Sequence, residues 1–233
     1  MTRHIVTSFE EELQAITARI SEMGGLAEEQ LGQSIEAVRL RDGALARQVI
    51  ASDDRLDAMD TQLEHDAIQM LALRQPMAND LRQIVAALKV SSTLERIGDL
   101  AKNIAKRTQV VIEGQPLKVT GSIVRMGKQT QALLSEVLDA YTSRDTAIAV
   151  SVWKRDVEID EMYNSIFREL TTYMMEDPRV ISLCSQLLFV AKNLERIGDH
   201  ATFIAEMTYF VVEGKQLGDD RPKGDPLGEL TGG

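Results

Sequence analysis

The sequence predicts an all-α protein made of two tandem, structurally similar three-helix bundles related by internal duplication. Apolar residues recur three and four positions apart over long stretches, as in Leu13, Ile16, Ile20, Met23, Leu26 and Leu31, which is the period of a helix buried along one face. Aromatic residues make up 4% of the 233 residues and apolar residues 44%, so the interior must be filled by aliphatic side chains, which suits helix packing better than stacked sheets. Residues 88–117 match residues 188–217 at an offset of 100, without a gap and with about half the positions identical, a period too long for a solenoid.

The elements follow in order. A first helix ends near Leu40, where Arg41-Asp42-Gly43 breaks the pattern and Asp42 can cap the next helix. The second helix runs through Leu45, Val49, Leu56, Met59, Leu63 and Met70 to Leu73, and stops at Gln75-Pro76. A third spans about Met77 to Glu113, and Gly114-Gln115-Pro116 ends it. The cycle then repeats: Thr120 to about Tyr141, a turn at Ser143-Arg144-Asp145, a fifth helix to Glu176, and a sixth opened by Asp177-Pro178 that ends near Gly214. The expected domains are residues 1–115 and 116–217, with residues 218–233, rich in Gly, Pro and Asp, a disordered tail. Helices of roughly 22 to 37 residues make rods of about 33 to 55 Å.

Charge and motif content narrow the function. Thirty-six acidic against 26 basic residues give a formal charge of -10, which repels a nucleic-acid backbone in the absence of a basic stripe. The single Cys184 lies in an apolar run, which fits a reducing compartment and a core position. Residues 1–9 hold no apolar leader and no run reaches a membrane span, so a soluble cytoplasmic protein is expected. Walker, dinucleotide-binding and nucleophile-elbow motifs are missing. His4, His65 and His200 are scattered and read as surface residues. Trp153, Met174 and Met175 read as core.

The duplicated segment carries Leu-Glu-Arg-Ile-Gly-Asp at 94–99 and again at 194–199. Glu95 and Asp99, like Glu195 and Asp199, stand four residues apart and so share a helix face. The preceding helices carry Asp53 with Asp57 and Asp156 with Asp160 at the same spacing. A hairpin folded at its proline pairs residues that share a midpoint. Asp57 with Glu95, and Asp53 with Asp99, are both centred on Pro76; Asp160 with Glu195, and Asp156 with Asp199, are both centred between Asp177 and Pro178. Each hairpin should therefore bring four carboxylates to one level. Helices pack about 8 to 10 Å apart, so these charges repel unless cations lie between them.

Oxygen donors of this kind suit Mg, Mn or Fe, with Ca and Zn as further candidates. Asn103 could add a neutral oxygen to the first site, and Asp60 and Glu64 extend its acidic stripe; Phe203 replaces Asn103 in the second copy, so the sites should differ. On a helical wheel Glu95 and Asp99 lie opposite Val90, Ile97 and Ile104, which places any metal at the bundle surface. The competing reading is a solvated acidic face that binds nothing. Gly98 and Gly198 argue against it, because a mid-helix glycine costs up to about 1 kcal/mol. Either a ligand approaches the backbone there or two helices cross tightly. Arg96, Arg196 and Arg82 are expected to pair with neighbouring acids.

These features resemble the PhoU family of bacterial phosphate-transport regulatory proteins. The resemblance is nearly full length and rests on the duplicated motif, on Arg74-Gln75-Pro76 followed by Asp80-Leu81-Arg82, and on the Asp53/Asp57 and Asp156/Asp160 pairs. It implies two similar three-helix bundles, iron or zinc bound at the Glu/Asp-x-x-x-Asp surface motifs, and a homodimer. It further implies a non-enzymatic, cytoplasmic negative regulator of phosphate uptake and of phosphate-starvation signalling. The implied partners are the ATPase subunit of the phosphate ABC transporter and a sensor histidine kinase. Phe203 departs from the family's usual asparagine, which implies a less complete second cluster. The alternative function is a carboxylate-bridged metal-storage or di-iron redox protein, although the Glu-x-x-His spacing of ferritin-like sites is missing.

Overall fold

The helical periods of the sequence become seven α-helices and one 3-10 turn in the computed structural model, which describes the backbone of residues 2–218 and the side chains of residues 9–218. They are α1 (Thr2–Leu40), α2 (Gly43–Ser52), α3 (Asp54–Arg74), α4 (Asn79–Val111), α5 (Thr120–Ser143), α6 (Thr146–Glu176), the 3-10 turn Pro178–Val180, and α7 (Ile181–Glu213). No strand occurs among the described residues. Nearly all of the expected tail lies outside the described residues.

The turns explain the boundaries. Arg41 and Arg144 both take a left-handed conformation, at φ 55° and 57°, and each is followed by an aspartate that caps the next helix. Asp42 accepts from the amides of Ala44 and Leu45, and Asp145 from those of Ala147 and Ile148, filling donors that a helix start leaves open. The same device thus opens the second helix of each repeat. Arg41 also donates to the carbonyls of Ile112 and Gly114, closing the carboxyl end of α4. Gly214 ends α7 at φ +69°, and a Cβ there would stand 2.5 Å from the Arg82 guanidinium.

One expected helix is divided. The segment from Leu45 to Leu73 breaks between α2 and α3 because Gln30 of α1 donates its side-chain amide to the Ser52 carbonyl at 3.1 Å. A side chain inserted into the backbone ladder is a common cause of a kink. Asp53, at the junction, makes no side-chain cap for α3.

Packing arranges the helices as an inner group of α1, α4, α5 and α7, with α2/α3 laid against α1 and α4, and α6 against α5 and α7. Glu12 with Arg74, Arg19 with Asp66, and Glu22 with Arg55 tie α1 to α3 in antiparallel register. One buried aliphatic cluster, including Ile20, Leu63, Ile97, Ile123, Leu170 and Ile197, runs through both repeats. Cys184 and Trp153 belong to it, but Met175 is 81% exposed rather than core, because it sits at the very end of α6 beside the turn.

Helices α4 and α7 run antiparallel. Arg107 bonds Gln186 at 3.0 Å and lies over the Phe189 ring, Gly114 meets Leu183, and Arg82 lies against Gly214. This register sets Arg96 level with His200. Because the repeat offset is 100 residues, the local twofold relation between the repeats passes near Gly98 and Gly198. Both Leu-Glu-Arg-Ile-Gly-Asp motifs therefore lie side by side at the middle of the molecule.

Candidate metal centre

The first carboxylate cluster forms where α3 packs on α4. Glu95 is pushed above its ordinary pKa, first by burial and then by the charges of Asp99, Asp57, Asp60 and Asp53. Asp57 is likewise raised, first by burial, then by Asp53, with Lys102 opposing and Asp99 and Asp54 adding to the shift. The four predicted residues Asp53, Asp57, Glu95 and Asp99 are thus within electrostatic reach of one another, as the shared midpoint at Pro76 requires. One oxygen each of Asp53, Asp54 and Asp57 lies within 4.8 Å of the others. Asp60 accepts from the Ser91 hydroxyl. Asn103 is exposed and makes no hydrogen bond among the described residues.

Depth distinguishes the members. Asp99 is 51% exposed, whereas Asp53 is buried at 1%. The cluster therefore extends from the surface into the bundle instead of lying wholly on it, because the α2/α3 kink turns Asp53 inward. Its carboxylate meets the Lys102 ammonium, which also stands 3.5 Å from Asp99 Oδ1.

The second cluster forms where α6 packs on α7. Asp156 is again buried. Glu195 is pushed above its ordinary pKa mainly by burial, with Lys192 opposing and Asp199 and Asp160 reinforcing the shift. Lys192 bonds Glu195 Oε1 at 2.7 Å, but the other oxygen, Oε2, is buried without a hydrogen-bond partner. A buried carboxylate oxygen in that state is costly and suits a cation. The donor set, oxygen atoms with several charges, fits a hard or borderline divalent ion at either cluster. Phe203, in place of Asn103, packs against the apolar core.

Both mid-helix glycines are needed for close approach. A Cβ at Gly98 would stand 2.6 Å from Leu56 Cδ1 and 2.9 Å from Gln30 Oε1; at Gly198 it would stand 3.1 Å from Asp156 Oδ1. The tight crossing is therefore the correct reading of these glycines, and it is what lets the buried aspartates reach across to the motif helices.

The arginines correct the sequence expectation. Arg96 and Arg196 make no ion pair with the flanking acids among the described residues. They flank His200 instead, whose pKa is lowered by burial, then by Arg96 and Arg196, with Asp199 opposing. The reason is directional: Glu95 and Asp99 turn toward α3, away from the α4–α7 seam. Arg82 bonds the Asn79 side chain rather than Asp80.

The PhoU domain family model matches residues 20–108 and, separately, residues 123–208. The chain belongs to the PhoU family. Each of the two matches contains one complete motif hairpin with its four carboxylates. The chain is 55% identical over 230 residues to the phosphate-specific transport system accessory protein PhoU homolog of Caulobacter vibrioides, covering 98% of this chain and 100% of that protein. It is 49% identical to the protein of the same description from Rhizobium meliloti, covering 98% of each. Among solved structures, PhoU from Pseudomonas aeruginosa superposes with TM-score 0.87 at 38% identity, covering 89% of this chain and 100% of that one. The phosphate transport system regulatory protein PhoU from Streptococcus pneumoniae superposes with TM-score 0.84 at 26% identity, covering 90% and 99%.

Two residues of this PhoU chain's first cluster escaped sequence reasoning. Asp54 breaks the four-residue spacing, yet its position beside Asp53 is a usable signal. Lys102, three residues after Asp99, is visible as a helical neighbour, but its reach to Asp53 depends on the kink, which the periodicity does not show.

Proposed function

We propose that this chain is a non-enzymatic, cytoplasmic negative regulator of phosphate uptake and of the phosphate-starvation response, and that its two carboxylate clusters hold metal ions. Its relatives are named as accessory proteins of a phosphate-specific transport system, and a solved neighbour as a phosphate transport system regulatory protein, which supports a role in regulating phosphate transport. No described helix is long and apolar enough to cross a membrane, so contact with a membrane transporter would run through its soluble parts. The proposed partners are the transporter's ATPase subunit and a sensor histidine kinase, engaged by a homodimer of this chain.

The observation that carries the metal reading is the buried, unpartnered Glu195 Oε2 within a set of converging carboxylates. Asp156, Asp160, Glu195 and Asp199 would hold an ion in the second cluster, and Asp53, Asp57, Glu95 and Asp99 in the first, with Asn103 at its rim. Iron or zinc is the leading candidate, and Mn, Mg and Ca also suit oxygen donors. Such an ion would neutralise the repulsion across each helix pair. The chain's own residues position it and stiffen the outer helices against the inner ones.

The test combines metal content with regulation. A strain carrying Glu95→Gln, Asp99→Asn, Glu195→Gln and Asp199→Asn should yield protein depleted of metal by mass spectrometry and should express phosphate-starvation genes in high phosphate. Full repression by the metal-free variant would rule out a regulatory role for the ion. If the wild-type chain captures neither ATPase subunit nor kinase, the partner assignment is wrong.

A further inference from the structure

The two clusters sit at equivalent places in the repeats, yet their ammonium groups differ: in the first, Lys102 reaches carboxylates on both sides of the helix pair, whereas in the second Lys192 bonds Glu195 on its own helix and lies over the Tyr163 ring of α6. Lys102 of α4 bonds the Asp53 carboxylate and approaches Asp99, so its charge is shared between the kink and the motif helix. Its side chain is 24% exposed, and Asp53 is buried at 1%. An unpaired charge at that depth would be strongly unfavourable. With Lys102 in place, no carboxylate oxygen of the first cluster is both buried and without a partner among the described residues.

The second cluster is built differently. Thr202 stands where Lys102 stands in the first repeat, is buried at 1%, and donates its hydroxyl to the Gly198 carbonyl at 3.0 Å. Lys192, in the place of Ser92, is a cation at this cluster. It is 47% exposed and takes only one oxygen of Glu195. Glu195 itself is only 15% exposed, and with Lys192 on Oε1 its other oxygen, Oε2, remains without a partner.

We propose that Lys102 is a tethered internal cation of the first cluster, so that a divalent ion enters the second cluster first and enters the first only by displacing the Lys102 ammonium. This rests on the reading of the clusters as metal-binding and adds which one fills and what it must displace. It also reverses the ranking drawn from Phe203 alone. Asn103 is an exposed neutral donor at the rim, whereas Lys102 places a full positive charge among the ligands. The chain then responds to a cation in two steps, at two concentrations, although its sequence repeat suggests two equal sites.

The experiment is a calorimetric titration of the full chain, stripped of metal, with Mn2+. Wild type should bind in two steps at least about tenfold apart in Kd, as expected when one like charge stands among the ligands of the weaker site. Glu195→Gln should remove the tighter step. Lys102→Gln should tighten the weaker one by about tenfold, and Thr202→Lys should weaken the tighter one.

Because Lys102→Gln leaves Asp53 buried without its ammonium and so destabilises the fold, a second readout uses the wild-type chain. Acylation of lysines, read by mass spectrometry, should leave Lys102 protected until the first equivalent of Mn2+ is bound and expose it during the second. A Lys102→Gln isotherm that overlays wild type, or Lys102 labelling unchanged through both equivalents, would overturn the proposal while leaving metal binding intact. If no variant binds Mn2+, the metal reading falls as well.

Discussion

Gln30 donates to the backbone carbonyl of Ser52 at 3.1 Å and to the Ser52 hydroxyl at 3.2 Å, so one buried side chain on α1 fixes the point where α2 ends. The kink that results aims Asp53 at Lys102. Replacing Gln30→Ala leaves that carbonyl without its partner inside the bundle, at a cost of about 2 kcal/mol, or roughly 4–8 °C in Tm for a chain of this length. Calorimetry would show the loss, and Lys102 should become more reactive toward acylation than in wild type. Unchanged Lys102 protection would mean that the kink does not position Asp53.

The two motif glycines should respond unequally to alanine. Gly98→Ala forces Leu56 and Gln30, both buried, to move, which costs about 1–3 kcal/mol and outweighs the gain of up to about 1 kcal/mol in helix propensity. At Gly198 the nearest atom would be Asp156 Oδ1 at 3.1 Å, a milder contact. Urea unfolding should therefore show a clear loss for Gly98→Ala and a smaller one for Gly198→Ala. Equal losses would contradict the packing described.

Acidity offers a third prediction. Glu95, Asp57 and Glu195 all titrate above their ordinary values in the folded chain, so the native state holds their protons more tightly than the unfolded chain does. Their ionisation therefore weakens the fold as pH rises through the range just above 4.5 for Glu95 and Glu195 and above 3.8 for Asp57, and protonation restores it. Metal-free Glu95→Gln should gain about 1–2 °C in Tm at neutral pH, since like charges cost a few tenths of a kcal/mol each. It should also show a flatter Tm profile than wild type as pH rises above 4.5. A loss of Tm at pH 7 would show that Glu95 stabilises the metal-free fold.

The repeated turn makes a fourth. Asp42→Ala and Asp145→Ala each remove an acceptor for two amides at a helix start, which costs about 1 kcal/mol and about 2–4 °C in Tm. Because the two caps are far apart in the fold, the double variant should show the sum of the two losses.

Most of the helical order was legible because long aliphatic periods and the duplicated turns at Arg41-Asp42 and Arg144-Asp145 are local signals. The level of the carboxylates was legible too, since a hairpin pivot fixes register by arithmetic. What escaped was set by other helices. The division at Ser52 comes from Gln30, more than twenty residues away, and the depth of Asp53 follows from that division. Arg96 and Arg196 were misread because spacing tells which residues share a helix face, not toward which neighbour each side chain turns. Met175 was misread because periodicity does not register where a helix leaves the core.

The placement of α2/α3 and α6 outside the inner four helices has an energetic meaning of its own. Among the described residues each outer segment packs only on helices of its own repeat, so lifting it would leave the packing of α1, α4, α5 and α7 on one another unbroken. Amide exchange in α3 and α6 should therefore be faster than in α4 and α7. Any ion bridging α3 to α4, or α6 to α7, would act by slowing that opening, so its signal could be carried by how often an outer helix lifts rather than by a change of shape.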